Sequence, residues 1–116
     1  MSKSNNKWKA HEKIKELEAQ GYRVEVEHER WTNAFAEDVR AVREERDSLS
    51  FKFGDDKSIS PTGGATYVEI HLDQDGEYPA RCVAVGQSEC SVYDNFNKKL
   101  GIQIALGRAI AGSHEL

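Results

Sequence analysis

The chain has 116 residues, of which 38% are hydrophobic and 31% are charged, and its formal net charge is -4. This length predicts one domain, and the acidic balance argues against a protein that binds nucleic acid with its whole surface, while a local basic patch stays open. The apolar runs are too short to span a bilayer, and the first ten residues lack the apolar segment of a secretory signal. Because the two cysteines form no CxxC pair, we expect reduced thiols and a cytoplasmic location.

The amino-terminal third predicts a helix followed by a strand. Residues 1–6 are polar and are expected to be disordered. Lys7–Gln20 carries an apolar stripe at helical spacing, and Gly21 follows at the position where many helices end in glycine. Tyr22–Trp31 alternates apolar and charged side chains, which is typical of a strand with one solvated face.

The middle of the chain predicts a second helix and a short strand. Apolar residues recur at helical spacing around residues 34–47, and Thr32 or Asn33 precedes them as a cap. These apolar residues are Phe35, Val39, Val42 and Leu49. Residues 49–53 alternate like a short strand, and residues 54–64 form a polar segment typical of a surface loop.

The next segment predicts a β-hairpin. Residues 66–72 alternate, with Val68, Ile70 and Leu72 directed inward. Asp75-Gly76 is a strong turn signal, and residues 77–85 return as the partner strand. Residues 86–91 are then expected to link the hairpin to the last helix.

Asp94–Ile110 predicts that last helix, with Ser91 or Asp94 as its cap. Its apolar residues are Phe96, Leu100, Ile104, Leu106 and Ile110, and the first three are expected to be buried against the hairpin. Because this apolar face is wider than one small sheet can cover, we expect a symmetric homodimer. Gly101 and Gly107 indicate close packing of the helix on the sheet or on a second copy.

Together these elements predict a single α+β domain over residues 7–112. An antiparallel sheet packs on helices, and the element order is approximately α-β-α-β-β-β-α. Residues 113–116 are expected to form a flexible carboxy terminus.

The sequence favours a binding protein over an enzyme. It contains no nucleophile elbow, zincin, Walker or dinucleotide-binding motif. His71 and Cys82 are expected to face each other across the hairpin, but a chance pair explains them better than a catalytic dyad, because no third orienting group follows. The four histidines share no ligand spacing, so no metal site and no cofactor are expected.

An acidic stretch, residues 37–47, offers one candidate surface. Its acids are Glu37, Asp38, Glu44, Glu45 and Asp47, and Arg40, Arg43 and Arg46 are interleaved with them. This mixture is typical of a solvated helix face with ion pairs three or four residues apart. The alternative is a protein-docking inhibitor that acts through an acidic helix.

Two lysines, Lys98 and Lys99, lie near the start of the last helix, where backbone N–H groups already carry partial positive charge. The negative charge of Asp94, one turn earlier, is sufficient to offset this positive charge. A bound anion is the functional alternative, since helix N-termini and lysines bind phosphate. For a small nucleotide we expect Phe96 to stack on the base, Asn97 to hydrogen-bond to it, and Lys98, Lys99 and Arg108 to meet phosphate.

Residues 61–111 resemble a group of small proteins carried by phages and archaeal viruses. The shared pattern is a β-hairpin followed by a helix of the form D-x-F-x-x-x-x-G-x-x-x-A-x-x-R-A. The matching positions are Cys90, Ser91, Asp94, Phe96, Asn97, Gly101, Ala105, Arg108 and Ala109. The helix is also similar to that of the Thoeris anti-defence sponges, and this resemblance implies sequestration of a nucleotide signal.

A second resemblance is to the double-stranded RNA-binding domain. That fold has the order α-β-β-β-α, and its last helix opens with a KKxA-like motif whose lysines contact phosphates across a groove. Asn97-Lys98-Lys99-Leu100-Gly101 contains the two lysines and a small residue at the same interval. This resemblance implies a nucleic-acid-binding module.

The function that we expect is therefore that of a small, non-catalytic binding protein of viral or mobile-element origin. It would sequester a ligand or block a component of host defence, with a nucleotide or a host protein as partner and no contact with a membrane. The RNA-binding module and the docking inhibitor are the alternatives.

Overall fold

The computed structural model describes residues 9–72 and 81–116. In these ranges the chain forms three α-helices, one short 3-10 helix and a three-stranded antiparallel sheet. The elements are α1 (Ala10–Ala19), β1 (Tyr22–Glu29), α2 (Asn33–Arg43), the 3-10 helix (Ser50–Phe53), β2 (Thr62–Leu72), β3 (Arg81–Asn95) and α3 (Lys98–Ala111). None of the described helices has the length and apolar character needed to cross a membrane.

The sheet has the order β1-β2-β3, and its register divides the side chains between two faces. Val24 pairs with Ile70, which pairs with Ala84, and their side chains share what we call the helix face. Glu25 pairs with Glu69, which pairs with Val85, and these side chains share the open face. The core lies between the helix face and the helices α1 and α3. Its buried members are Leu17, Val68, Ile70, Ala84, Ala105, Leu106 and Ala109.

The predicted α+β single domain is confirmed, with one strand fewer than expected. Residues 49–53, predicted to be a strand, form a 3-10 helix in which the Lys52 N–H donates to the Leu49 carbonyl at 2.9 Å. Their alternation spans only three apolar residues, and the most exposed of them, Phe51, has 72% of its surface accessible. A pattern this short cannot specify a strand unless a sheet edge is available to pair with it.

The first two helices and the first strand lie close to their predicted positions. Gly21 ends α1 with a φ of 98°, a conformation that glycine adopts without strain. Thr32 caps α2, since its side-chain oxygen accepts from the Phe35 N–H at 3.1 Å. The prediction of which α2 residues form its buried face is wrong, however. Its buried residues are Ala36, Glu37 and Ala41, whereas Val42 is 78% exposed.

The last helix begins four residues later than predicted. Residues 86–91, expected to be a linker, continue β3, which runs to Asn95 because β2 provides pairing partners as far as Thr62. The cap is Asn97, whose side-chain oxygen accepts from the Leu100 N–H at 3.0 Å. Asp94 lies in the strand and does not cap the helix.

The buried face of α3 also differs from the prediction. Leu100 and Ile104, which were predicted to be buried, are 52% and 36% exposed, whereas Leu106 is fully buried. The other buried residues of α3 are Gly101, Ala105 and Ala109. A helix packs closest to a sheet through its small residues, and here that preference outweighs the larger apolar side chains.

The close packing is direct contact between backbones. A Cβ atom at Gly86 of β3 would overlap the Ala105 carbonyl oxygen and lie 2.5 Å from the Ala109 nitrogen. A Cβ atom at Gly101 would overlap the Thr66 hydroxyl. Gly107, by contrast, has no atom within 4 Å of its Cβ position, so only one of the two helix glycines is explained by packing.

Some predictions fall outside the described residues or at the chain end. Residues 1–6, predicted to be disordered, and the turn predicted at Asp75-Gly76 both lie outside the described ranges. Residues 113–116, expected to be flexible, contact the rest of the domain. Leu116 packs against the core, and Glu115 pairs with Arg81 at 2.9 Å.

The two glycines of α3 allow a matched test of this packing. Gly107→Ala should raise the free energy of unfolding by up to about 1 kcal/mol, the usual preference for alanine in a helix. Gly101→Ala gains the same preference but must displace Thr66, so we expect it to be about 1–3 kcal/mol less stable than Gly107→Ala. Urea unfolding measures both, and equal stabilisation by the two variants would contradict the close contact at Gly101.

Two leucines of α3 test which face is buried. Leu106→Ala should lower the free energy of unfolding by about 2–5 kcal/mol, because it opens a cavity in the core. Leu100→Ala removes the same atoms from a half-exposed position and should change stability by less than about 1 kcal/mol. If thermal melting ranked Leu100→Ala as the more damaging variant, the described orientation of α3 would be wrong.

Candidate functional site

The structure gathers four of the five predicted site residues at the start of α3. Phe96 and Asn97 immediately precede the helix, and Lys98 is its first residue. Lys99 follows and is exposed. Arg108 lies ten residues after Lys98, which corresponds to a rise of about 15 Å along the helix. Its guanidinium donates to the Gln87 carbonyl at 2.8 Å. Arg108 therefore does not join the other four and anchors α3 to β3 instead.

Phe96 is held by residues from the end of β1 and from β2. The Arg30 guanidinium carbon lies 4.5 Å from the centroid of the Phe96 ring, within the range of a cation–π contact. The His28 ring meets it edge-on at 5.6 Å with an interplanar angle of 89°. Gly64 lacks the Cβ atom that would lie 2.8 Å from the ring. One face of Phe96 is thus occupied by Arg30, which limits its predicted use as a stacking surface for a base.

His28 and Arg30 are functional candidates that the sequence did not single out. His28 Nδ1 lies 2.9 Å from the Thr66 hydroxyl oxygen. Burial lowers the pKa of His28, and the nearby charges of Lys98 and Arg30 lower it further. Because its ordinary pKa is 6.5, the imidazole is neutral at pH 7. Lys98 and Arg30 therefore carry the positive charge near Phe96.

Arg30 is only partly satisfied by its surroundings. Its terminal nitrogen donates to the Ser60 carbonyl at 3.2 Å. Its Nε atom is buried and has no hydrogen-bond partner among the described residues. The guanidinium beside Phe96 therefore retains one donor without a partner among the described residues.

A cleft of about 200 Å³ opens beside these residues, and we call it the α3 cleft. Thr66 and Ser88 of the helix face form part of its lining, together with the exposed side chains of Leu100 and Ile104. Phe96 and Asn97 lie at its rim, next to the first turn of α3. Asp94 adds a carboxylate to the lining, whereas Glu89 also borders the cleft but has its carboxylate on the open face of the sheet, because it pairs with Ala65. The cleft therefore combines an apolar wall, hydroxyl groups and one acid, and it lies beside the electropositive start of a helix.

The Asn97 side-chain oxygen, which we expected to contact a ligand, already caps the helix by accepting from the Leu100 N–H. The cap fixes the first turn of α3, where the backbone N–H groups without an intrahelical partner carry partial positive charge. Asn97 thus supports the site through the backbone that it holds.

Two acids of the acidic stretch at residues 37–47, Glu37 and Glu44, form ion pairs within the protein. Glu37 accepts from Arg46 at 2.6 and 3.1 Å and from the Leu49 N–H at 3.0 Å, and it is buried. These hydrogen bonds lower the pKa of Glu37 to about 2. Glu44 accepts from Arg46 and from the Tyr93 hydroxyl, and its pKa is also lowered. The ion pairs of Glu37 with Arg40 and Arg46 fit the prediction that acids and arginines pair with each other in this segment.

The pair His71 and Cys82 is confirmed as a cross-strand pair of β2 and β3. The Cys82 thiol is directed to the Ala84 carbonyl at a distance of 3.6 Å. The His71 ring is directed to Glu69, at 3.1 Å. The two side chains therefore have other partners, and their register does not make them a nucleophile and base.

No protein-family model, curated protein or solved structure matches this chain.

The hydrogen bonds that Glu37 accepts from Arg46 and from the Leu49 N–H predict a specific dependence of stability on pH. Its pKa is about 2 in the folded protein and 4.5 ordinarily, so its contribution is fully present above pH 4.5 and is lost as the pH falls toward 2. Replacing Glu37 by Gln should flatten the loss of unfolding free energy between these two pH values. Glu12→Gln, on an exposed position of α1, should keep the wild-type decline. Urea titrations at several pH values measure the free energy of unfolding. If it fell equally with pH in all three proteins, the lowered pKa of Glu37 would be contradicted.

Proposed function

We propose that this is a small, non-catalytic binding protein that holds a phosphorylated small molecule, such as a nucleotide, in the α3 cleft. The observation that carries the proposal is a concave surface with exposed apolar side chains, lined in part by Leu100 of α3, the helix that opens with Lys98 and Lys99. A concave, partly apolar site with a few placed polar groups is the usual form of a small-molecule site.

The charged side chains around the cleft suggest an orientation for the bound ligand. Lys98 and Lys99 occupy the first two positions of α3, where an anion is stabilised by both lysines and the helix dipole. Asp94 would repel phosphate, so we place the phosphate at the start of α3, beside the two lysines. Carboxylates accept hydrogen bonds from amino groups, and nucleobases carry such donors.

The apolar wall offers a place for the base. Leu100 and Ile104 are exposed and line the cleft, whereas one face of Phe96 is already covered by Arg30. We therefore assign base contact chiefly to Leu100 and Ile104, in place of the stacking expected from Phe96. Phe96 and Arg30 then shape the rim next to the phosphate end.

A binding protein without catalytic groups holds its ligand without converting it, so each copy of the chain would sequester one ligand molecule. The viral-protein pattern of residues 61–111 supports a role in sequestering a host signal or in blocking host defence. The predicted homodimer would form through the same exposed side chains, Leu100 and Ile104. In that case the second copy would close the cleft.

Double-stranded RNA is the second candidate ligand, and one observation favours it. If α2 and the 3-10 helix are treated as an insertion, the order α1-β1-β2-β3-α3 is the α-β-β-β-α order of the RNA-binding domain, and α1 and α3 pack on one sheet face. The two lysines at the start of the last helix also match. The net charge of -4 weighs against this candidate, since most such affinity comes from neutralised phosphates.

A paired lysine replacement tests the site. Lys98→Gln/Lys99→Gln should stabilise the free protein by a few tenths of a kcal/mol per lysine, because repulsion with the helix dipole is relieved. The same variant should bind its ligand at least about tenfold more weakly, through loss of charge-assisted hydrogen bonds. Thermal shift and calorimetry with cyclic and linear dinucleotides are the measurements. The control Lys52→Gln/Lys57→Gln makes the same charge change away from the cleft and should bind normally.

The same proteins separate the two candidate ligands. Saturable binding of a dinucleotide with one site per chain supports the proposed function. Binding only to an RNA duplex of about 16 base pairs, with an affinity that falls steeply with salt, supports the second candidate. If both ligands are ignored, or if the two lysine variants bind equally well, the α3 cleft is not the site.

A further inference from the structure

The open face of the sheet carries an unusual concentration of acids around one histidine. Its exposed carboxylates are Glu25, Glu27 and Glu29 on β1, Glu69 on β2 and Glu89 on β3. His71 lies two residues after Glu69 on the same strand and therefore on the same face. This face is opposite to the one that forms the α3 cleft, so it is available for a different task.

Three of these side chains converge. The ligand atoms of Glu25, Glu69 and His71 all lie within 4.8 Å of one another. His71 Nε2 is 3.1 Å from Glu69 Oε1 and 3.7 Å from Glu25 Oε1. Two of the three come from the i and i+2 positions of β2, and the third is the direct cross-strand neighbour of Glu69. Such a triangle spans two strands and has one side open to solvent.

We propose that Glu25, Glu69 and His71 bind one divalent transition-metal ion, with Zn²⁺ as the best probe. Metal–ligand bonds of about 2.0–2.2 Å in a tetrahedral arrangement place the ligand atoms roughly 3.3 Å apart. The separations of 3.1 and 3.7 Å from His71 bracket this value. One imidazole and two carboxylates suit zinc and its neighbours, whereas Mg²⁺ and Ca²⁺ prefer oxygen ligands alone. Water would complete the coordination on the open side.

The orientation of Glu25 gives separate support. Arg23 forms an ion pair with Glu25 Oε2, while the other oxygen, Oε1, faces His71. The carboxylate is thus held by one oxygen and presents the other to the cluster. Hydrogen-bonded partners that orient a ligand in this way are a regular feature of metal sites. We assign Arg23 as a positioning residue.

Electrostatics favours a cation at this place as well. Glu25 and Glu69 are directly opposite each other on neighbouring strands, an arrangement in which like charges destabilise a sheet. A divalent ion between them would remove that repulsion and join β1 to β2. Spacing along the chain could not show the site, because Glu25 is 44 residues from Glu69 and only the sheet register brings them together.

Titration of the full chain with ZnCl₂ in a calorimeter, and with CoCl₂ by visible absorption, tests the proposal. The wild type should bind one ion per chain, melt at a higher temperature in its presence and give the absorption of tetrahedral cobalt. Glu69→Gln/His71→Gln should bind more than about tenfold more weakly and lose the melting shift. The control His11→Gln/Glu12→Gln makes the same chemical change on exposed positions of α1 and should behave as wild type.

Two further variants complete the test. Glu25→Gln changes an exposed side chain on the other strand and should also weaken Zn²⁺ binding, even if the double variant fails to fold. Arg23→Gln should weaken it by about tenfold and keep the one-to-one stoichiometry. Wild-type affinity in Glu25→Gln and in the double variant would overturn the proposal. Equal binding of Mg²⁺, or loss of binding in the α1 control, would also overturn it.

Discussion

The direct contact between α3 and the strands beneath it determines most of the architecture. At Gly86 the sheet presents no side chain, so the backbone around Ala105 and Ala109 lies against the backbone of β3. Gly101 allows the same approach over Thr66. Dispersion contacts at such short range are dense, and they orient the helix even though its small side chains bury little area each. The rotation of α3 about its axis follows from this contact.

That rotation creates the candidate site. With the small residues turned inward, Leu100 and Ile104 turn outward and become the wall of the α3 cleft. Thr66, which lies under Gly101, is also the partner of His28, and His28 contacts Phe96. The packing of the helix and the position of the aromatic ring are therefore linked through two hydrogen-bonded side chains. A substitution that moves α3 away from Thr66 would therefore also shift His28 and the Phe96 ring at the rim of the cleft.

Periodicity in the sequence was enough to predict those elements whose local signals agree with their tertiary surroundings. The alternation through Val68 and Ile70 is buried as predicted. His71 pairs with Cys82 as predicted, although the register shifts between Ile70 and His71. The start of α3 could not be predicted, because Ser91, Asp94 and Asn97 are all good caps locally. The choice depends on whether β2 extends far enough to keep β3 paired, and β2 does so.

The site was predictable only where it is continuous in sequence. Phe96, Asn97, Lys98 and Lys99 are consecutive, so they are found together at once. His28 and Arg30 come from the end of β1, and only the folded sheet brings them to Phe96. The apolar face of α3 was assigned incorrectly because hydrophobicity was weighed above size. In close helix–sheet packing the smallest side chains are buried first.

The contact at Gly86 also bears on how this protein can diverge. A substitution at position 86, 101, 105 or 109 that adds bulk must move a whole helix, so we expect these positions to vary little among any relatives. Positions 100 and 104 face solvent and carry no such restriction. Selection could therefore reshape the wall of the cleft, and with it the preferred ligand, while the scaffold stays constant. Distant relatives would be recognised by four small residues at fixed spacing and would differ most in the residues that contact the ligand.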